Sequence, residues 1–293
     1  GILLSIAIFP LVAPHFWEEN FGKIAAFWAA LFFLPFWNAY GSKVAFAELY
    51  HVIALEYIPF IIILFALYTI SGGIRISGSL VGTPKLNTLF LLIGASIASW
   101  MGTTGASMLL IRPLIQANKW RQKKVHIFIF FIFIVANIGG SLSPLGDPPL
   151  FLGFLKGVDF FWTTKKLFLP MALLLLILIV LFYCVDSYYY KKEIIDKSSD
   201  IETVKKVKLE GTINILFLGG VIFLVLMSGL WKPEISFYEL ELQNITRDIF
   251  LLFLSYCSIK FTPQDIRRGN GFTWFPIQEV AKIFIAIFKE RWP

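Results

Sequence analysis

An all-α fold, a polytopic transmembrane helical bundle interrupted by a re-entrant hairpin and a discontinuous helix, follows from three observations. Of the 293 residues, 57% are hydrophobic and 31 are Phe, and the mean hydropathy is +0.74, well beyond a soluble domain. Apolar runs of spanning length alternate with basic loops, the pattern of membrane helices under the positive-inside rule. Residues 135–152, VANIGGSLSPLGDPPLFL, place three glycines, three prolines, two serines and an aspartate inside a stretch that otherwise reads as membrane helix.

In chain order, Ile2 to Pro14 is a short apolar run followed by the polar HFWEEN, and Ile24 to Tyr40 is a span with aromatic ends. His51 to Ser71 is the clearest span of the first part, ending at Gly72 and Gly73. Its Glu56 lies about 7 Å inside the start and is expected to snorkel to the interface. Leu86 to Gln116 joins an apolar arm, LNTLFLLIGASIASWM, through GTTGAS to a shorter arm, MLLIRPLIQ, of about nine residues or roughly 14 Å. An arm that short does not span, so a hairpin entering and leaving on one side is expected. The loop NKWRQKKVH follows and is assigned to the cytoplasm.

His126 to Ala136 supplies about eleven residues, roughly 16 Å of helix, against a hydrocarbon core of about 30 Å. The helix has to break there, because Pro144, Pro148 and Pro149 remove backbone donors and Gly139, Gly140 and Gly146 free the chain. Leu167 to Cys184 is an uninterrupted span that leads into a Lys-rich hydrophilic linker, and Thr212 to Trp231 is another span. The acidic PEISFYELELQ reads as an external loop, Ile245 to Ile259 as a marginal span, and Ile277 to Phe288 as an apolar helix that stops at KERWP.

Irregular backbone at membrane depth persists only where it is buried in protein or lines a watery cavity. A carboxylate there costs several kcal/mol, on the order of 3 at a helix centre, unless compensated. The break around Asp147 and the hairpin tip at residues 102–107 are therefore the candidate transport site. Asn137, Ser141, Ser143, Thr103, Thr104 and Ser107 offer neutral oxygens suited to a hard cation, and Asp147 offers a charge for Na⁺ or a proton. Small residues also let helices pack closely, and Gly94, Ala98 and Gly102 suit that role. Packing calls for neither an aspartate nor three prolines.

The net charge of +7 does not point to nucleic acid, since the basic residues lie between apolar spans and form no aromatic-interleaved patch. Cys184 and Cys257 stand alone, without metal-ligand or disulfide spacing. His15, His51 and His126 have no catalytic spacing, and no HExxH set is present, so an enzyme is not expected. No cofactor is expected beyond Na⁺ and H⁺ as transported ions. The partners are the lipid bilayer and small ions or carboxylates, with a homodimer left open.

At these residues the chain resembles a family. IGGSLSPLGDPPLF looks like the IGG-x-n-G-[TD]-PP segment of the ion transporter superfamily, and GTTGASMLLIRPL looks like its hairpin tip and MLLP-type arm. Within it the chain is similar to sodium/proton antiporters of the NhaD type and to the related citrate transporters, and KFTPQDIRRGNGFTWFPIQEVA looks like their linker. The tip differs in carrying Gly102 and Thr103 where relatives often have Asn or Asp.

The resemblance implies paired inverted repeats, each with a re-entrant hairpin and a discontinuous helix, sharing a midplane site. It implies an N-terminal repeat over 1–186, with hairpin 86–116 and broken helix 126–156, then a cytoplasmic linker over 187–211. Residues 212–293 hold further helices and the start of a second repeat. The expected activity is sodium:proton antiport across the inner (plasma) membrane, with sodium-coupled citrate or dicarboxylate transport as the alternative. Because the chain ends where the second repeat begins, a fragment of a longer protein, or a truncated product without activity, is also expected.

Overall fold

The computed structural model describes residues 1–78, 80–193, 207–231, 233, 235–237 and 240–289. Lys197, Lys205 and Lys206 of the linker and the last four residues of KERWP lie outside them. The fold is an all-α membrane helical bundle. In chain order the helices begin with α1 (Ile2–Val12), α2 (Pro14–His51), a π-helical stretch (Val52–Tyr57) and α3 (Ile58–Ser71). Next come the short β1 (Arg75–Ser77), α4 (Pro84–Met101), α5 (Thr103–Ala117), α6 (Val125–Ile134), a 3₁₀ turn (Ile138–Gly140), α7 (Pro148–Leu155) and α8 (Trp162–Lys192). The chain continues with β2 (Lys208–Glu210), α9 (Ile213–Leu230), β3 (Ser236–Phe237), β4 (Leu240–Glu241), α10 (Leu242–Phe261), α11 (Gln264–Gly269) and α12 (Phe275–Lys289). Among the described residues three helical stretches are long and apolar enough to cross a membrane: Pro14–Ser71, Trp162–Lys192 and Ile213–Leu230.

The chain forms two compact units, the first made of residues 1–64, 233–248 and 273–293. In it α1 folds back on α2, where the Trp28 indole donates to Ser5 Oγ at 3.0 Å and Ile2 packs against Ala25. The aromatic face of α12 lies along α2 and reaches the start of α3: Phe21 of α2 meets Phe275 edge-on at 6.2 Å, and Phe60 of α3 meets Phe284 at 4.8 Å. The polar HFWEEN is helical and forms the first turns of α2, while residues 42–51 carry the helix on after a kink at Gly41 (φ 81°). Sequence reading separates these segments because Gly41 and Lys43 resemble a loop. Ala45, Ala47, Glu48 and Leu49 are good helix formers and prevail.

The second unit, residues 65–232 and 249–272, holds the hairpin and the break. Thr83 opens α4, its Oγ1 accepting from the Leu86 N–H at 3.3 Å, with Pro84 in the first turn. The tip is narrower than the sequence suggests. Only Gly102 leaves the helical conformation (φ 80°), and α5 starts at Thr103, so the second arm has 15 residues rather than about nine. At roughly 27 and 23 Å the two arms still fall short of a hydrocarbon core of about 30 Å. The hairpin closes at its base, where the Gly82 N–H donates to the Ala117 carbonyl at 2.7 Å.

The core of this unit is built from Leu91, Ala95 and Ala98 of α4, Leu110 and Leu114 of α5, Ile127, Phe131 and Ile134 of α6, and Phe182 of α8. α8 runs past Cys184 to Lys192, beyond the expected start of the linker, because Tyr189 and Tyr190 find aromatic and cationic partners there. The linker's far end also has structure: β2 pairs antiparallel with β1, Arg75 opposite Glu210.

Candidate functional site

The break begins where α6 ends at Ile134, and the chain passes through the 3₁₀ turn and a run of tight turns before α7 starts at Pro148. Two prolines in the first turn of α7 sacrifice donors that would have no intrahelical acceptor. The freed backbone groups must be paired, since each one left buried and unsatisfied costs about 1–3 kcal/mol. Ser99 of α4 does much of that pairing. Its Oγ donates to the Gly139 carbonyl at 2.6 Å and accepts from the Leu142 N–H at 3.1 Å, while its own carbonyl accepts from Ser143 Oγ. From α8, Thr163 Oγ1 donates to the Leu142 carbonyl at 3.1 Å, and Thr164 Oγ1 donates to the same oxygen.

Close approach is what small residues allow here. A Cβ on Gly139 would lie 2.8 Å from Ala95 Cα and 3.0 Å from Ala98 Cβ, and one on Gly140 would lie 2.5 Å from the Thr103 methyl. On α4, Gly94 and Ala98 serve packing as expected: a Cβ on Gly94 would meet Val135 at 2.5 Å, and Ala98 is fully buried. The tip then meets the break directly, as the Thr103 N–H donates to the Gly146 carbonyl at 3.1 Å. The N-termini of α5 and α7 are thereby brought to one junction, but α7 opens on two prolines without N–H and its Leu150 N–H donates to the Asp147 carbonyl at 3.1 Å, so the partial positive charge of unpaired N–H groups at a helix start belongs to α5.

The candidate residues occupy this junction differently. Asp147 is the N-cap of α7 in extended backbone, with no side-chain cap bond. It is exposed and, among the described residues, makes no ion pair. Thr103 touches Gly140 and binds Gly146, and Thr104 beside it is exposed. Ser107 Oγ, one turn further along α5, is buried and has no hydrogen-bond partner among the described residues. Ser143 is buried, and its hydroxyl is committed to the Ser99 carbonyl and to the Leu145 N–H at 3.2 Å. Ser141 Oγ donates back to the Ile138 carbonyl at 2.8 Å. Asn137 is exposed, its amide donating to the Ile132 carbonyl at 2.8 Å. Asp147, Thr103, Thr104 and Ser107 thus keep oxygens available, while Ser143, Ser141 and Asn137 spend theirs on the local backbone.

A second polar cluster, at the hairpin base, escapes sequence reading. Arg121 and Asp186 form an ion pair at 2.6 Å with both side chains fully buried. His126 Nε2 lies 2.8 Å from the same carboxylate oxygen, and Asn87 Nδ2 donates to the other at 3.0 Å. Asn87 and Asn118 exchange amide hydrogen bonds at 2.8 and 3.0 Å. Tyr189 stacks on His126 at 4.9 Å and Tyr190 lies 5.5 Å from the Arg121 guanidinium. The charge rule files Arg121 with its lysine neighbours as a loop cation. The available signal was Asn87 and Asp186, each a polar residue at the end of an apolar helix. A third group gathers at Arg267, whose guanidinium donates to the Thr69 carbonyl and to Ser258 Oγ, both at 2.7 Å, with Asn214 linking Ser258, Thr262 and the Gly73 carbonyl.

Among the described residues no set of three or more His, Cys, Asp or Glu is placed to hold a metal ion. Comparison with curated proteins and with solved structures gives no match. A family model does match, over residues 1–293, and its description is "Putative citrate transport". With a membrane helical bundle and a polar junction at a broken helix already established, the chain belongs to that family of membrane transporters.

Proposed function

We propose that the protein is a secondary transporter of the inner membrane that exchanges Na⁺ for H⁺ at Asp147, with α4 and α5 as a re-entrant hairpin whose tip reaches the site. The observation that carries this reading is the place of Asp147. Among the described residues it is a carboxylate without an ion pair, at the start of α7 and one residue after the carbonyl that binds the hairpin tip. The hairpin tip, joined to the residue before Asp147 by the Thr103 N–H and the Gly146 carbonyl, carries hydroxyl oxygens on Thr103, Thr104 and Ser107 for a hard cation, and the buried Ser107 Oγ has no partner to give up among the described residues. Protons and Na⁺ compete for the one carboxylate, so each displaces the other, and movement of the tip against the break exposes it alternately to the two sides. Asp147 holds the exchanging ion, Thr103 and Thr104 line the tip, and Ser143, Ser141 and Asn137 shape the break.

A second reading, sodium-coupled uptake of citrate or a dicarboxylate, is favoured by the family description and by the α5 N-terminus at the junction, since a helix start suits a carboxylate. The cargo assay separates the two. The protein is reconstituted into vesicles that carry an internal pH dye and is then given either a Na⁺ gradient or labelled citrate. A Na⁺-driven pH signal that disappears in Asp147→Asn, with insertion retained, is the expected result. Undiminished exchange by Asp147→Asn would sink the carboxylate-competition mechanism, and Na⁺-dependent citrate uptake without a proton signal would establish the second reading.

A further inference from the structure

Ser99 lies outside every motif that marks the site, yet its hydroxyl and carbonyl bind the break at Gly139, Leu142 and Ser143. We propose that Ser99 is a positioning residue for transport, holding the break in register with the hairpin tip so that Asp147 stands at the junction. The inference rests on the reading of that junction as the cargo site.

Ser99 is 2% exposed and sits on the last turn of α4. Its hydroxyl serves the Gly139 carbonyl and the Leu142 N–H at once, at 2.6 and 3.1 Å, and its carbonyl receives Ser143 Oγ. Thr103, four residues further on, receives the other end of the same segment through its N–H and the Gly146 carbonyl at 3.1 Å. One turn of hairpin therefore grips residues 139–146 at both ends. The interval between is short and closed, because the Gly146 N–H donates to the Ser143 carbonyl at 3.1 Å, and Asp147 follows immediately. A shift of residues 139–143 along α4 is thus passed through one tight turn to Asp147. Ser99 reaches the segment only because Gly139 is bare where it crosses Ala95 and Ala98. Without the hydroxyl, the Gly139 carbonyl and the Leu142 N–H each lose their Ser99 partner, and of the Leu142 peptide groups only the carbonyl stays tethered, to Thr163 and Thr164 of α8.

The test compares Ser99→Ala and Ser99→Cys, the thiol being a weak donor and acceptor of nearly the same size, with the unchanged protein in vesicles. Two quantities are read: the apparent KM and maximum rate for whichever cargo the unchanged protein moves, and the hydrogen exchange of peptides covering 136–147 and 84–92. Ser99→Ala is expected to speed exchange in 136–147 by about tenfold or more, the order of one lost hydrogen bond. Exchange at 84–92 stays unchanged, and KM rises about tenfold while the rate per inserted molecule falls less. Ser99→Cys is expected between the two, and it decides the matter alone if Ser99→Ala fails to insert. Unchanged exchange in 136–147 overturns the proposal. So does faster exchange with an unchanged KM, the outcome of a merely structural serine. If the unchanged protein moves neither Na⁺ nor citrate, it is the cargo reading that fails, and the exchange result alone then supports or overturns Ser99 as the residue that holds the break.

Discussion

Replacing Asp186 with Asn tests the buried cluster most directly, because that carboxylate serves three partners. Arg121 at 2.6 Å, His126 at 2.8 Å and Asn87 at 3.0 Å all bind it, and both members of the ion pair are fully buried. The asparagine keeps the shape and removes the charge, leaving the fully buried Arg121 guanidinium without its counter-charge. Removing one partner of a buried ion pair costs about 3–5 kcal/mol. In a chain of this size about 1 kcal/mol moves Tm by roughly 2–4 °C, so a drop on the order of 10 °C is expected. Arg121→Met should cost less, since Asp186 retains His126 and Asn87, and the double variant should recover part of the Asp186→Asn loss because the stranded cation is gone. The assay is thermal unfolding in detergent, with the four proteins forming a double-mutant cycle. A loss below about 1 kcal/mol for Asp186→Asn, or a double variant as unstable as the sum of the singles, would refute the reasoning and make the cluster a hydrated surface pair of the ordinary weak kind.

Two further outcomes follow from the geometry around the hairpin. Gly140→Ala puts a methyl 2.5 Å from that of Thr103 and 3.0 Å from the Gly146 carbonyl; it should cost about 1–3 kcal/mol as overpacking and abolish transport, and a variant that transports normally would show that tip and break need not touch. Because the Gly82 N–H binds the Ala117 carbonyl, single cysteines placed at Lys85 and Lys119 should respond alike to an impermeant thiol reagent, both silent from outside and both labelled from the cytoplasmic side. Opposite responses at the two positions would make the segment a through-going helix.

How much of this was legible beforehand depends on the range of the signal. Helix breaks are local chemistry, so Pro148, Pro149 and the glycines of 139–146 announce the discontinuity wherever they occur, and the structure interrupts the helix there. Apolar length is equally local, which is why Leu167 to Cys184 reappears within α8 and Thr212 to Trp231 becomes α9 with its two end residues as caps. Helix ends were less legible. The small polar residues after Gly102 look like a loop, but once Gly102 has turned the chain, Thr103 to Ser107 need only helical backbone, and α5 gains six residues. Hydrogen-bond partners were not legible at all. Nothing local says that Asn87 will meet Asn118 or that Ser99 will meet Gly139, since each pair is made by tertiary approach across about thirty to forty residues.

That limit also explains why the two polar systems of the second unit differ in character. At the hairpin base the charges and amides are matched: Arg121 has Asp186, Asn87 has Asn118, and His126 closes the set, with Arg121 Nε the one buried donor of the cluster that finds no acceptor among the described residues. A buried network whose charges are paired is rigid, and removing any member strands another. At the tip Asp147 makes no ion pair among the described residues, Thr104 is exposed, and Ser107 Oγ has no partner. Unfilled bonding capacity beside satisfied backbone is what an ion-binding site requires, because a ligand that must first break protein hydrogen bonds gains little on binding. The hairpin is therefore closed chemically where α4 enters and α5 leaves, and open where they meet. On the transport reading, motion and binding belong at the Gly102 end, and the base carries the tip without responding to the ion.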